Sequence, residues 1–184
     1  MKSETLDAYL RASTQEVHKE TEKAIEPLNI LGPYEPENYS SFLLLQYYWL
    51  KTMQESIEQC ASAEPDFFVQ SDLLLIENDL HAMNAFREVE PLQPLENPSL
   101  PGLIYTIEGS KAGASMINRH LQKEGVDTEI RSYLSSCEAN IRKTMPELRT
   151  YLRTIPDTDN AFDKAVETSK ASFDLMVRYT KVLG

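Results

Sequence analysis

The chain has 184 residues, 41% hydrophobic and 26% charged, enough apolar material for one sizeable core and too much for intrinsic disorder. Eighteen Lys and Arg against 29 Asp and Glu leave a formal charge of −11, a balance that repels phosphate backbones and anionic lipid. Six glycines are too few for a Gly-rich phosphate cradle, and ten prolines cluster between patterned segments, so an all-α, single-domain, multi-helix bundle over residues 1–184 is expected. Cys60 and Cys137 lack metal-site spacing and read as reduced thiols. With a polar, acidic start and no apolar run of ~20 residues, the sequence reads as a soluble, cytoplasmic protein.

Ser3 and Thr5 offer N-caps to a first helix carrying Leu6, Leu10, Val17 and Ala24 at helical spacing and stopping near Glu26-Pro27. A second helix is predicted over about Glu37–Ala61. A third follows over about Asp66–Phe86, with Leu73, Leu74, Ile76 and Leu80 facing inward. Four prolines between Pro91 and Pro101 make an extended loop. The next helix, Leu103–Lys123, ends at Gly125 as a left-handed cap, and Gly32 and Gly102 read as punctuation of connections. Asp127 or Thr128 then caps a helix reaching about Arg153, which Pro146 should kink or divide. A final helix covers Asn160–Leu183, making six or seven in all.

Two elements carry candidate chemistry. His18 shares a helix face with Arg11, Thr14, Glu22 and Ile25; Arg11 precedes it by two turns, or about 10.5 Å. An imidazole and a guanidinium so spaced suit a haem lying along the helix, iron at one end and propionates at the other. The second is Glu108-Gly109-Ser110-Lys111-Ala112-Gly113-Ala114-Ser115, where two glycines fall inside a helical pattern. Each costs about 1 kcal/mol relative to alanine, and the bare face permits either close helix packing or a flat ligand against the backbone. A carboxylate-bridged di-iron site is the competing chemistry, but Glu77 and His81 are its nearest pair and read as surface or capping residues. His120 lies near a helix C-terminus, where the dipole favours a cation. Arg142, Lys143, Arg149 and Arg153 recur along one region and form either a positive patch or a solvated face.

Leu10-Arg11-Ala12-Ser13-Thr14-Gln15-Glu16-Val17-His18, with Glu22 after it, resembles the proximal helix of haem oxygenases. Ile104 through Gly113 is similar to the distal helix of their bacterial, biliverdin-producing branch. Tyr39–Ile57 and Ala165–Phe173 resemble that family's second and late helices, so the likeness covers essentially the whole chain in order. It implies a haem oxygenase-like bundle that uses haem as cofactor and substrate, and O₂ with electrons from a reductase, ferredoxin or flavodoxin. The expected products are biliverdin, CO and Fe²⁺. By the same likeness His18 is the axial ligand of the haem iron and Glu22 orients its ring. Arg11 and Arg149 meet propionates, Gly109, Ser110 and Gly113 form the distal wall, and Phe173 lines the pocket. The chain departs from the family's Leu-Gly-Gly at Ala112-Gly113-Ala114, which is expected to put a methyl group near the ligand. Alternatives in the same fold are a non-catalytic haem or tetrapyrrole binder and a helical oxidase-like protein using non-haem metal. The patch from Arg142 to Arg153 is a candidate docking surface for an acidic donor.

Overall fold

Leu6 and Leu10, then Leu43, Trp49 and Met53, repeat at the helical period and are fully buried in a computed structural model describing residues 5–60, 69–158 and 160–183. The described residues form seven helices in one bundle-like arrangement: α1 (Leu6–Ser13), α2 (Gln15–Ile25), α3 (Pro36–Glu58), α4 (Val69–Ala82), α5 (Leu100–Lys123), α6 (Ser132–Thr154) and α7 (Ala161–Leu183). The all-α expectation holds. No helix among the described residues is long and apolar enough to cross a membrane.

Two buried clusters meet along α5. Leu103, Ile107 and Ala114 join the larger one with α3, α4, the start of α6 and the end of α7. Ile104 joins the smaller one with Leu6 and Leu10 of α1, Leu148 and Leu152 of α6, and Phe162 of α7. Trp49 fixes α3 on α7 by donating its indole N–H to the Ser172 carbonyl at 2.9 Å. The proline-rich connection before α5 is pegged by buried hydroxyls rather than left free. The amides of Val89, Leu92 and Leu95 donate to the oxygens of Tyr48, Tyr179 and Ser56.

Several boundaries differ from the sequence reading. The first predicted helix is two, because the Thr14 hydroxyl donates to the Leu10 carbonyl at 2.8 Å and its backbone leaves helical geometry. α5 starts three residues earlier than predicted, with Pro101 in its first turn, where a missing N–H costs nothing. Gly102 therefore sits inside α5: a Cβ there would strike the Ala165 carbonyl oxygen, so the close approach of α5 and α7 requires a glycine. Gly125 takes the left-handed conformation expected of it, at φ 75°. Pro146 does not divide α6; it faces solvent, where water can meet the carbonyl it leaves without a donor. The expected N-terminal half-turn of the third helix lies outside the described residues, and Leu74 is 59% exposed rather than inward.

The inner stripe of α4 instead carries Asp72, Ile76, Asp79 and Leu80. Asp79 is fully buried and accepts the amides of Ser132 (2.9 Å) and Tyr133 (3.0 Å), capping α6 from a neighbouring helix. Asp127, the expected cap, serves only the 3-10 turn Thr128–Ile130. Asp79→Ala leaves those donors unmet and should lower stability by about 2–3 kcal/mol, seen as a lower urea midpoint at unchanged slope.

Candidate functional site

α2 is bound less deeply than any other long helix. Thr21 is its sole buried residue, and its apolar side chains Val17, Ala24 and Ile25 are only half-buried. It lies on α7 through an edge-to-face contact between His18 and Phe173, ring centroids 5.5 Å apart. Its start is held to α5, where the Thr14 hydroxyl and the Tyr105 hydroxyl stand 3.4 Å apart.

The contacts run in register along three helices. Tyr9 meets Phe162 and Asp163, His18 meets Phe173, and Gly102 and Thr106 meet Ala165 and Ser169. α1–α2, α5 and α7 therefore run parallel. One turn beyond the Thr14–Tyr105 contact, His18, Phe173 and Gly109 reach the same level; a turn later Glu22 and Gly113 do. α2 and α5 thus both pack on α7, which carries Phe173 against His18, and Gly109 and Gly113 are exposed on α5. Met116, 59% exposed, continues the glycine face.

Close helix packing, one of the two readings of the glycine motif, does not operate at Gly109 or Gly113. A Cβ built on Gly109 or Gly113 meets nothing within 4 Å, so no neighbouring helix requires either glycine. Neither has a positive φ, so no turn requires them. Close helix packing does operate on α5, but at Gly102. Ala114, expected to crowd a ligand with its methyl, is 2% exposed and belongs to the larger core, on the side away from the glycine face. Ser110, next to the first glycine, donates its hydroxyl to the Ile107 carbonyl at 2.7 Å.

His18 is 53% exposed, with Nδ1 3.4 Å from Glu22 Oε1 one turn on. Glu22 is thus the carboxylate nearest Nδ1, and Nε2 is the ring nitrogen on the other side of the imidazole. Arg11 lies on α1 and His18 on α2, on either side of Thr14. α1 and α6 run antiparallel with Asp7 beside Arg153 at 3.8 Å, and one turn further along each helix come Arg11 and Arg149. Both guanidiniums are exposed, as are Arg142 and Lys143.

Behind the glycine face is a cluster that sequence reasoning missed. Lys111 Nζ lies 2.8 Å from Asp72 Oδ2 on α4 and 2.8 Å from Glu108 Oε1 on its own helix. The three side chains are only 12%, 8% and 1% exposed. The signal was available: an i,i+3 Glu–Lys pair in the middle of an apolar helix. Tyr133 and Cys137 of α6 adjoin it, and burial pushes the Cys137 thiol up to about 12, which leaves it inert. Burial also holds the Asp72 carboxyl above its ordinary value against the opposing pull of Lys111. Folded Asp72 thus binds its proton more tightly than unfolded Asp72. Its favourable contribution is complete below the unfolded value of 3.8 and is lost as pH rises through the folded value. The stability of the native protein minus that of Asp72→Asn should fall with rising pH in that window; a difference that grows would contradict the assignment.

The remaining histidines are accounted for elsewhere. His81 lies 3.9 Å from Glu77 and stacks on Phe86, and His120 donates from Nε2 to the Gly32 carbonyl at 2.7 Å. Among the described residues no group of three or more His, Cys, Asp or Glu is placed to hold a metal ion. No protein-family model matches the chain, and no curated protein matches it.

Proposed function

We propose that this protein binds haem between α2 and the Gly109–Gly113 face of α5 and cleaves it to biliverdin. The observation that carries the reading is the pair of mid-helix glycines opposite His18, which cost stability and serve no contact within the chain. A bare backbone face suits a flat macrocycle at van der Waals distance, where any side chain would hold it off. The residue types fit the group. His18 would ligate iron through Nε2, Glu22 would hold Nδ1–H and the ring plane, and Phe173 would limit rotation of the imidazole from its edge. Arg11 and Arg149 would meet the propionates, and Ser110 would place a hydroxyl beside the bare stretch.

Bound haem supplies the iron at which O₂ is activated and is itself the substrate, its ring opening to biliverdin with release of CO and Fe²⁺. The electrons would come from an external donor such as a ferredoxin, flavodoxin or reductase. The exposed cations Arg142, Lys143 and Arg149 are the proposed docking face for an acidic donor. The chain's own contributions are ligation, orientation and exclusion of bulk on one side of the ring.

The test is to load the protein with hemin, supply reductant and O₂, and follow the spectrum. Replacement of the Soret band by the broad absorption of biliverdin supports the reading. A haem complex that survives unchanged would make the protein a haem carrier.

A further inference from the structure

The face of α5 opposite Gly109 and Gly113 has no part in the chemistry just described, yet it holds the most deeply buried charges of the site. Lys111 lies midway between Gly109 and Gly113 in sequence and points the other way, into Asp72 and Glu108. We propose that Asp72, Lys111 and Glu108 form a positioning clamp that holds the glycine-bearing stretch of α5 in helical register against α4.

The need for a clamp follows from the glycines. Over residues 109–113 the outer face of α5 has no side chain to pack at either glycine and no neighbour within 4 Å of where one would be. Glycine also has the largest backbone entropy to lose, so this is where the helix would open first. All restraint must come from the inner side. Apolar contacts of Ile107 and Ala114 supply part of it, but they are non-directional and tolerate sliding. Two 2.8 Å ion pairs converging on one ammonium do not tolerate it. The Glu108–Lys111 pair spans Gly109 within the helix, and the Asp72–Lys111 pair ties the same turn to α4. Buried ion pairs often add little net stability, and fixing register is the role they fill best.

What the clamp prepares the glycine face for rests on the haem reading, and the experiment separates the two. Amide hydrogen exchange is measured on the ligand-free protein, on Asp72→Leu, which cuts the tether yet leaves Glu108 and Lys111 paired, and on Asp72→Asn, which keeps an acceptor. The clamp predicts that Asp72→Leu raises exchange at residues 109–114 about tenfold more than at residues 165–176 of α7, with a smaller local rise in Asp72→Asn. A rise spread evenly over α5 and α7, or none, overturns it. Each protein is then titrated with hemin, and the clamp predicts weaker binding by Asp72→Leu. Local opening in a protein whose native form takes up no hemin would uphold the clamp and sink the haem reading instead.

Discussion

Lys111→Met should lower the free energy of unfolding by about 3–5 kcal/mol, the cost of leaving buried carboxylates without their counter-charge. The substitution keeps the length of the side chain and removes only the ammonium. Asp72 and Glu108 then face each other's charge behind α5 with side chains no more than 8% exposed. A carboxylate in that position either takes up a proton or draws in water, and both disturb the core around it. Denaturant unfolding measures the loss directly. Replacing all three residues by apolar ones of similar volume should recover most of it, because the penalty belongs to the unmatched charge and not to the missing pair. A single substitution that costs under 1 kcal/mol would mean that the cluster is hydrated.

The second large effect has opposite signs on stability and on binding. Changing Gly109 and Gly113 together to alanine should stabilise the fold by about 2 kcal/mol, since each glycine in a helix interior costs about 1 kcal/mol and each new methyl meets open space. The same double substitution should weaken hemin binding, because two methyl groups then stand between the ring and the backbone. Thermal unfolding and a hemin titration on one preparation read both quantities. Stabilisation with unchanged hemin affinity would remove the glycine face from the site. Destabilisation would show that the glycines serve the fold. Sites that trade stability for function in this way are where local sequence rules are expected to fail.

The helices were legible because their apolar residues recur at the helical period and their ends carry Gly and Pro, as at Gly125 and Pro156. The misreadings share one cause, which is that burial is decided between helices. On α4 the leucine pattern drew attention to Leu74, while the inward stripe belongs to Asp72 and Asp79, whose partners lie on α5 and α6. Gly102 looks like a helix terminus in sequence, and only the approach of α7 shows why it is glycine. Ala114 was read by its place in a motif, yet 100° of helical rotation separates it from Gly113 and carries it into the core. Thr14 breaks the first helix through a hydroxyl contact to its own preceding turn, a choice that its neighbours leave open.

The candidate site divides in the same manner. His18, Glu22 and Phe173 were found from the sequence, and the fold brings them together. Gly109 and Gly113 were found as a cost without a reason, and the structure shows that the reason is not helix packing. Arg11 was placed by its spacing from His18 and Arg149 by resemblance, and both are exposed. Tyr105 and Lys111 were passed over. Tyrosine beside a glycine motif carries no signal until Thr14 is opposite it, whereas the i,i+3 spacing of Glu108 and Lys111 inside an apolar helix was a readable sign of a buried pair.

The most direct measurement is the absorption spectrum of the protein with one equivalent of hemin, beside that of His18→Ala. His18 is half exposed on a shallowly packed helix, so its removal leaves the fold intact by circular dichroism and isolates the ligand role. The account predicts a sharp Soret band of histidine-ligated haem in the native protein, and in His18→Ala its loss or a shift that exogenous imidazole reverses. A native protein that gives only the spectrum of free hemin, or a variant with an unaltered Soret band, would contradict it.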